Sequence, residues 1–132
     1  MRNLLILTAL LLTFTASVQA QDLSVAEIVL KQNLNDPTSY QKISWTKYTN
    51  NLGKSTHGKD MILPSTWSVY GLKYRAKNAF GGIIVDEQRF LFNDKGFLFY
   101  KNGIVWRPEV RGDFGTLIAP ASPPGDLRIR KW

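Results

Sequence analysis

The apolar and polar positions of this chain divide it into one stretch of helical period followed by several of strand period. The helical stretch opens at Ser24. Ser24 and Glu27 have the S-x-x-E spacing of a capping box, and Leu23 and Ile28 form the matching hydrophobic staple. Val25, Ile28 and Val29 then share one face, with Glu27 and Lys31 outside. The helix is predicted to end near Asn33. Pro37 biases Asp36 away from helical angles, and Asp36 can cap a short turn through Tyr40.

Residues 41–48 carry the aromatic and β-branched residues of a strand. From Thr49 to Asp60 the chain turns polar, with Gly53 and Gly58, and reads as an exposed loop. Further strands are predicted over residues 66–77, 83–93, 97–101 and 104–107. Asn93-Asp94-Lys95-Gly96 is the turn between the third and fourth, and Asn102-Gly103 is a strong two-residue hairpin signal between the fourth and fifth. After Pro108 the periodicity dissolves, and Pro120, Pro123 and Pro124 favour an irregular tail. The expected fold is α+β: one N-terminal helix packed on an antiparallel meander of four or five strands, in two layers. It spans residues 21–108 as a single domain, and residues 109–132 form a Pro-rich tail whose Leu127–Trp132 can dock as a last edge strand.

The first twenty residues have a different character. Arg2, an apolar run from Leu4 to Phe14, and Ser17-Val18-Gln19-Ala20 are the three parts of a secretory signal peptide. The run is about half the roughly 20 residues that a membrane-crossing helix needs. We read residues 1–20 as a leader cleaved after Ala20, with no transmembrane anchor and a periplasmic or extracellular destination. The chain has no cysteine, which excludes disulfides, thiol chemistry and thiolate metal sites.

Charge sharpens the picture. The full chain carries seventeen basic and ten acidic residues, a net of +7. The excess gathers in residues 40–77, where Lys42, Lys47, Lys54, Lys59, Lys73, Arg75 and Lys77 face Asp60 alone. Such a stretch attracts polyanions, and it also serves simply to keep a protein soluble.

If residues 78–82 connect the second and third strands, Lys77 faces Ile83, Arg75 faces Val85, Lys73 faces Glu87 and Tyr70 faces Phe90. Tyr70, Leu72 and Tyr74 then share the core side, and Lys73, Arg75 and Lys77 line the other about 7 Å apart. This assignment puts Asp86 and Gln88 on the core side, and Val69, Ile83, Val85 and Leu91 on the wet one. Either Gly71 marks a bulge that shifts the register, or both faces are partly covered. Lys73, Arg75 and Lys77 are the leading anion-binding residues, joined by Asn78 and Phe80 of the turn. The plainer reading has Glu87 neutralising Lys73, Asn78 shaping the loop, and Phe80 folded under it as a plug.

Asp36-Pro37-x-Ser39-Tyr40 followed by Tyr74-Arg75-Ala76-Lys77-Asn78-Ala79-Phe80-Gly81-Gly82 resembles a pattern of small exported bacterial proteins of unknown function. The likeness covers about residues 34–93. It implies a shared fold and export, with no activity attached. Many such sequences carry a cysteine shortly before the hairpin motif, and this chain does not.

Catalytic groups are sparse. His57 is the only histidine, and it falls in a polar loop with Asp60, a poor frame for a hydrolytic triad. Asp86 and Glu87 are adjacent on a strand and point apart. No phosphate-binding glycine loop is present. No catalytic residue, metal or cofactor is assigned. The expectation is a non-enzymatic exported binding module whose partner is an anionic polymer, an envelope surface or a protein. The alternatives are a small hydrolase of an anionic polymer, or an accessory or inhibitor-like protein that docks by a strand edge.

Overall fold

A computed structural model describes residues 20–54, 57–112 and 128–129. The leader reading therefore lies outside the described residues, apart from the backbone of Ala20. Helix α1 spans Ala20–Gln32. Ser24 sits inside it and not at its start, so the capping-box reading is corrected. The helix carries Asp22 in its first turn and Lys31 in its last, each complementing the helix dipole. Its buried stripe is Ala26, Val29 and Leu30, while Ile28 is turned outward at 44% exposure. Glu27 is freed from capping. It accepts a hydrogen bond from the Tyr40 hydroxyl (2.7 Å) and pairs with Lys42 (3.6 Å).

Asp36 caps a 3-10 turn, Pro37–Ser39, through its side chain and the backbone N–H of Thr38. Eight strands follow among the described residues: β1 (Gln41–Tyr48), β2 (Asn51–Lys54), β3 (Asp60–Ile62), β4 (Ser68–Lys77), β5 (Ile83–Phe92), β6 (Phe97–Lys101), β7 (Ile104–Trp106) and β8 (Arg128–Ile129). The main sheet runs β1-β4-β5-β6-β7-β8, antiparallel except for the parallel β7–β8 pair, and β2–β3 form a separate hairpin. The α+β meander thus stands, with the hairpin and β8 added to its five strands. β8 places part of the tail as an edge strand. Nearer segments of the tail are tied down too: Arg111 N–H donates to Gln32, Gln32 donates back to the Arg111 carbonyl, and Asn33 donates to the Glu109 carbonyl.

The hairpin corrects the expected loop over residues 49–60. Each of its strands has only one apolar contact residue, Leu52 and Met61, too few to raise a period-two signal. Its presence also resolves the alternation along β4 and β5. Toward α1 the sheet presents Leu72, Tyr74, Phe90, Phe92, Phe97 and Phe99. Phe90 is central there, with its ring 5.1 to 6.0 Å from those of Phe92, Phe97, Phe99 and Trp45. Toward the hairpin the sheet presents Val69, Leu91, Leu98, Tyr100 and Val105, closed by Leu63 and Trp67. Both faces are partly covered, and the β4–β5 register runs without a shift from Ser68↔Phe92 to Lys77↔Ile83. Of the two explanations open from the sequence, the partly covered faces hold and the bulge at Gly71 does not. The irregularity lies between Lys42 and Ser44 in the β1–β4 pairing, at Ile43.

Candidate binding face

β5 pairs with β6 only from Arg89 to Phe92, whereas its pairing with β4 continues to Ile83. On the β6 side residues 83–87 of β5 therefore extend past the rest of the meander, while β1 flanks β4 as far as Gln41↔Arg75, so the arm of residues 73–77 and 83–87 is three-stranded up to Arg75 and two-stranded beyond it. The β2–β3 hairpin covers the sheet at the Val69–Leu91 end. At the far end, the face holding Lys73, Arg75, Lys77, Ile83 and Val85 is exposed.

The predicted row of cations is present in this geometry. Lys73, Arg75 and Lys77 alternate with buried Leu72, Tyr74 and Ala76, and all three are exposed. None has an ion pair among the described residues. Glu87 does not neutralise Lys73 although the two residues face each other. Both of its carboxylate oxygens accept from the Tyr48 hydroxyl at 2.8 Å, and Arg89 Nε lies 3.3 Å away. The Arg89 guanidinium in turn sits 4.2 Å from the centre of the Tyr48 ring. The Glu87 hydrogen bond holds the Tyr48 phenol above its ordinary pKa. Sequence reading missed Tyr48 and Arg89. The available signal was Gly71, a glycine in mid-strand, over which an aromatic ring can lie.

At the arm's tip, Asn78 acts as a structural brace. Its side-chain oxygen accepts the N–H of Phe80 and of Gly82, both at 3.0 Å, and its N–H donates to the Gly82 carbonyl at 2.9 Å. Gly81 adopts φ +82°, a conformation that disfavours other residues. Phe80 is not a plug: the braced turn is too short to cover a ring, and the side chain is 97% exposed. Ile83 and Val85 follow it at 64% and 55% exposure.

The arm's stem is held by the 3-10 turn. Ser39 Oγ accepts the Lys77 N–H at 2.8 Å and donates to the Asp36 carbonyl at 2.8 Å. The Tyr40 and Tyr74 rings lie 5.9 Å apart. The two sequence motifs thus meet as one unit. Between them lies an open cleft of ≈ 400 Å³, lined by Asp36, Ser39, Gln41, Arg75, Lys77 and Ile83. The Thr38 hydroxyl, bonded to the Asp36 carboxylate, holds it below its usual pKa, and the field of Lys77 adds to this. The ionised carboxylate makes the cleft itself mixed in charge, so the cationic character belongs to the sheet face.

The hydrolase residues are dispersed. Asp60 pairs with Lys54 across the β2–β3 hairpin, at 3.6 Å. Asp86 is on the helix side of the sheet, opposite that hairpin, and holds Lys101 at 2.7 Å. Among the described residues no group of three or more His, Asp or Glu is placed to hold a metal, and no helix is long and apolar enough to cross a membrane. No family model, curated protein or solved structure matches the chain.

Proposed function

We propose that this chain is an exported, non-enzymatic binding module that presents the open face of the β4–β5 arm to an anionic partner. The observation that carries the reading is the row Lys73, Arg75 and Lys77, exposed on one face while Glu87, the carboxylate opposite Lys73, is taken by Tyr48 and Arg89. Cations at a regular spacing of about 7 Å offer repeated contacts to a chain or surface of negative charges. Support for export comes from Arg2, Leu4–Phe14 and the small residues that end at Ala20.

The test uses a fluorescent single-stranded oligonucleotide as a generic polyanion. Binding at low salt should fall steeply as salt rises, and Lys73→Gln/Arg75→Gln/Lys77→Gln should flatten the log–log salt slope by about 2. Equal affinity and equal slope in the wild type and the triple variant would remove the row from any binding role.

A further inference from the structure

Resting on that reading of the cationic row, we propose that the β4–β5 arm is a peripheral membrane anchor. Phe80 enters the boundary of the acyl chains, and Lys73, Arg75 and Lys77 meet the headgroups of an anionic bilayer.

The arm combines the two components of interfacial binding. Apolar side chains surround its tip: Phe80 at the apex, then Ile83 and Val85 on the open face and Ile84 on the other, all exposed. The cations stand directly behind, in the neighbouring column of the same face. A lipid surface rewards this arrangement twice, through burial of apolar area and through attraction of basic side chains to anionic headgroups. The turn is also preorganised. Asn78 holds the N–H groups of Phe80 and Gly82, so the apex presents its ring without a mobile loop that must be ordered first.

Other occupants fit less well. A nucleic acid strand would want several aromatic platforms, whereas the exposed apolar groups beside Phe80 are aliphatic. A partner strand added to the free edge of β5 would meet a guarded position. The Glu87 N–H is already bonded to Asp86, and Lys101 lies across that carboxylate at 2.7 Å. A second copy brings a like-charged row against the first.

The experiment uses vesicles made from an equal mixture of phosphatidylglycerol and phosphatidylcholine, with pure phosphatidylcholine as the neutral control. Because the chain has no cysteine, Phe80→Cys can carry a single polarity-sensitive fluorophore. Lys95→Cys, on the turn at the opposite end of β5, is the control position. The label at 80 should shift to the blue on anionic vesicles only, and the label at 95 should not. Phe80→Ala should weaken partition into vesicles about tenfold. The triple glutamine variant should lose on the order of 100-fold. All variants are compared in the exported form that begins at Gln21, without the Leu4–Phe14 segment.

Row-dependent oligonucleotide binding without vesicle binding would overturn the anchor and leave the cationic-row reading standing. Binding to neither probe would sink both. Vesicle binding with the label at 80 still in water, or with Phe80→Ala unimpaired, would also overturn the anchor.

Discussion

Tyr48 lies across Gly71: a methyl group added at Gly71 would come within 2.6 Å of the Tyr48 ring edge and 3.0 Å of the Glu87 carboxylate. The missing side chain on β4 is what lets a residue of β1 reach over it to a residue of β5. The phenol then occupies Glu87, and Lys73 is left without that partner.

Gly71→Ala should therefore destabilise the protein by about 1–3 kcal/mol, the usual cost of overpacking. The ring edge is the mobile end of a side chain, but Glu87 and Arg89 hold it in place. In a Tyr48→Ala background the same substitution should cost clearly less. Urea denaturation of the four proteins in this cycle measures the coupling, and equal costs in both backgrounds would show that Tyr48 and Gly71 do not constrain each other.

Ser39→Ala removes one acceptor and one donor between the 3-10 turn and the arm. About 1 kcal/mol of stability should be lost. The loss should be local: amide exchange at Lys77 should quicken far more than at Phe90 or Leu91. Unchanged protection at Lys77 would mean that Ser39 does not hold the stem.

Phe90→Ala and Phe80→Ala should diverge sharply. The first empties the centre of the aromatic cluster and should cost about 3–5 kcal/mol. The second alters a side chain that is almost wholly in water and should change stability by less than about 0.5 kcal/mol. Thermal unfolding of the two variants checks this contrast, and a large loss for Phe80→Ala would restore the plug.

The pH response should be set at both ends by hydrogen-bonded or buried groups. Asp36 is held below its ordinary pKa, first by the Thr38 hydroxyl. Its contribution is present above the unfolded-state value and disappears as pH falls through the folded one. Thr38→Ala should raise the Asp36 titration midpoint seen by carboxyl NMR. At the alkaline end, burial and then the Asp86 charge push Tyr74 from an ordinary 10.0 up to about 12. The folded state keeps that proton longer, so its contribution is complete below pH 10 and is lost as pH rises towards 12. Phenolate absorbance should show Tyr74→Phe removing a late-titrating tyrosine; a normal midpoint for it would contradict the burial argument.

Much of the fold is legible along the chain because local geometry decides it. Aromatic and β-branched residues mark β4 and β5, and the length of the turn at residues 78–82 sets their register, as found from Lys77↔Ile83 to Tyr70↔Phe90. Asn102-Gly103 turns with both residues at positive φ, 51° and 77°, as its type demands. The three cations share a face for the same reason, since alternate strand residues must.

What the chain alone could not decide is what covers each face and which groups find each other across it. The β2–β3 hairpin contributes one contact residue per strand, so its strand pairing and its packing on the cluster that holds Trp67 and Leu91 distinguish it from a loop only in the assembled structure. Glu87 had two cationic neighbours and an unseen phenol to choose from, and the choice followed from the room above Gly71, a property of three strands together. Phe80 is apolar wherever it stands. Whether it is core or contact depends on whether anything lies within reach of the turn, and distances between segments far apart in sequence are set by the assembled sheet.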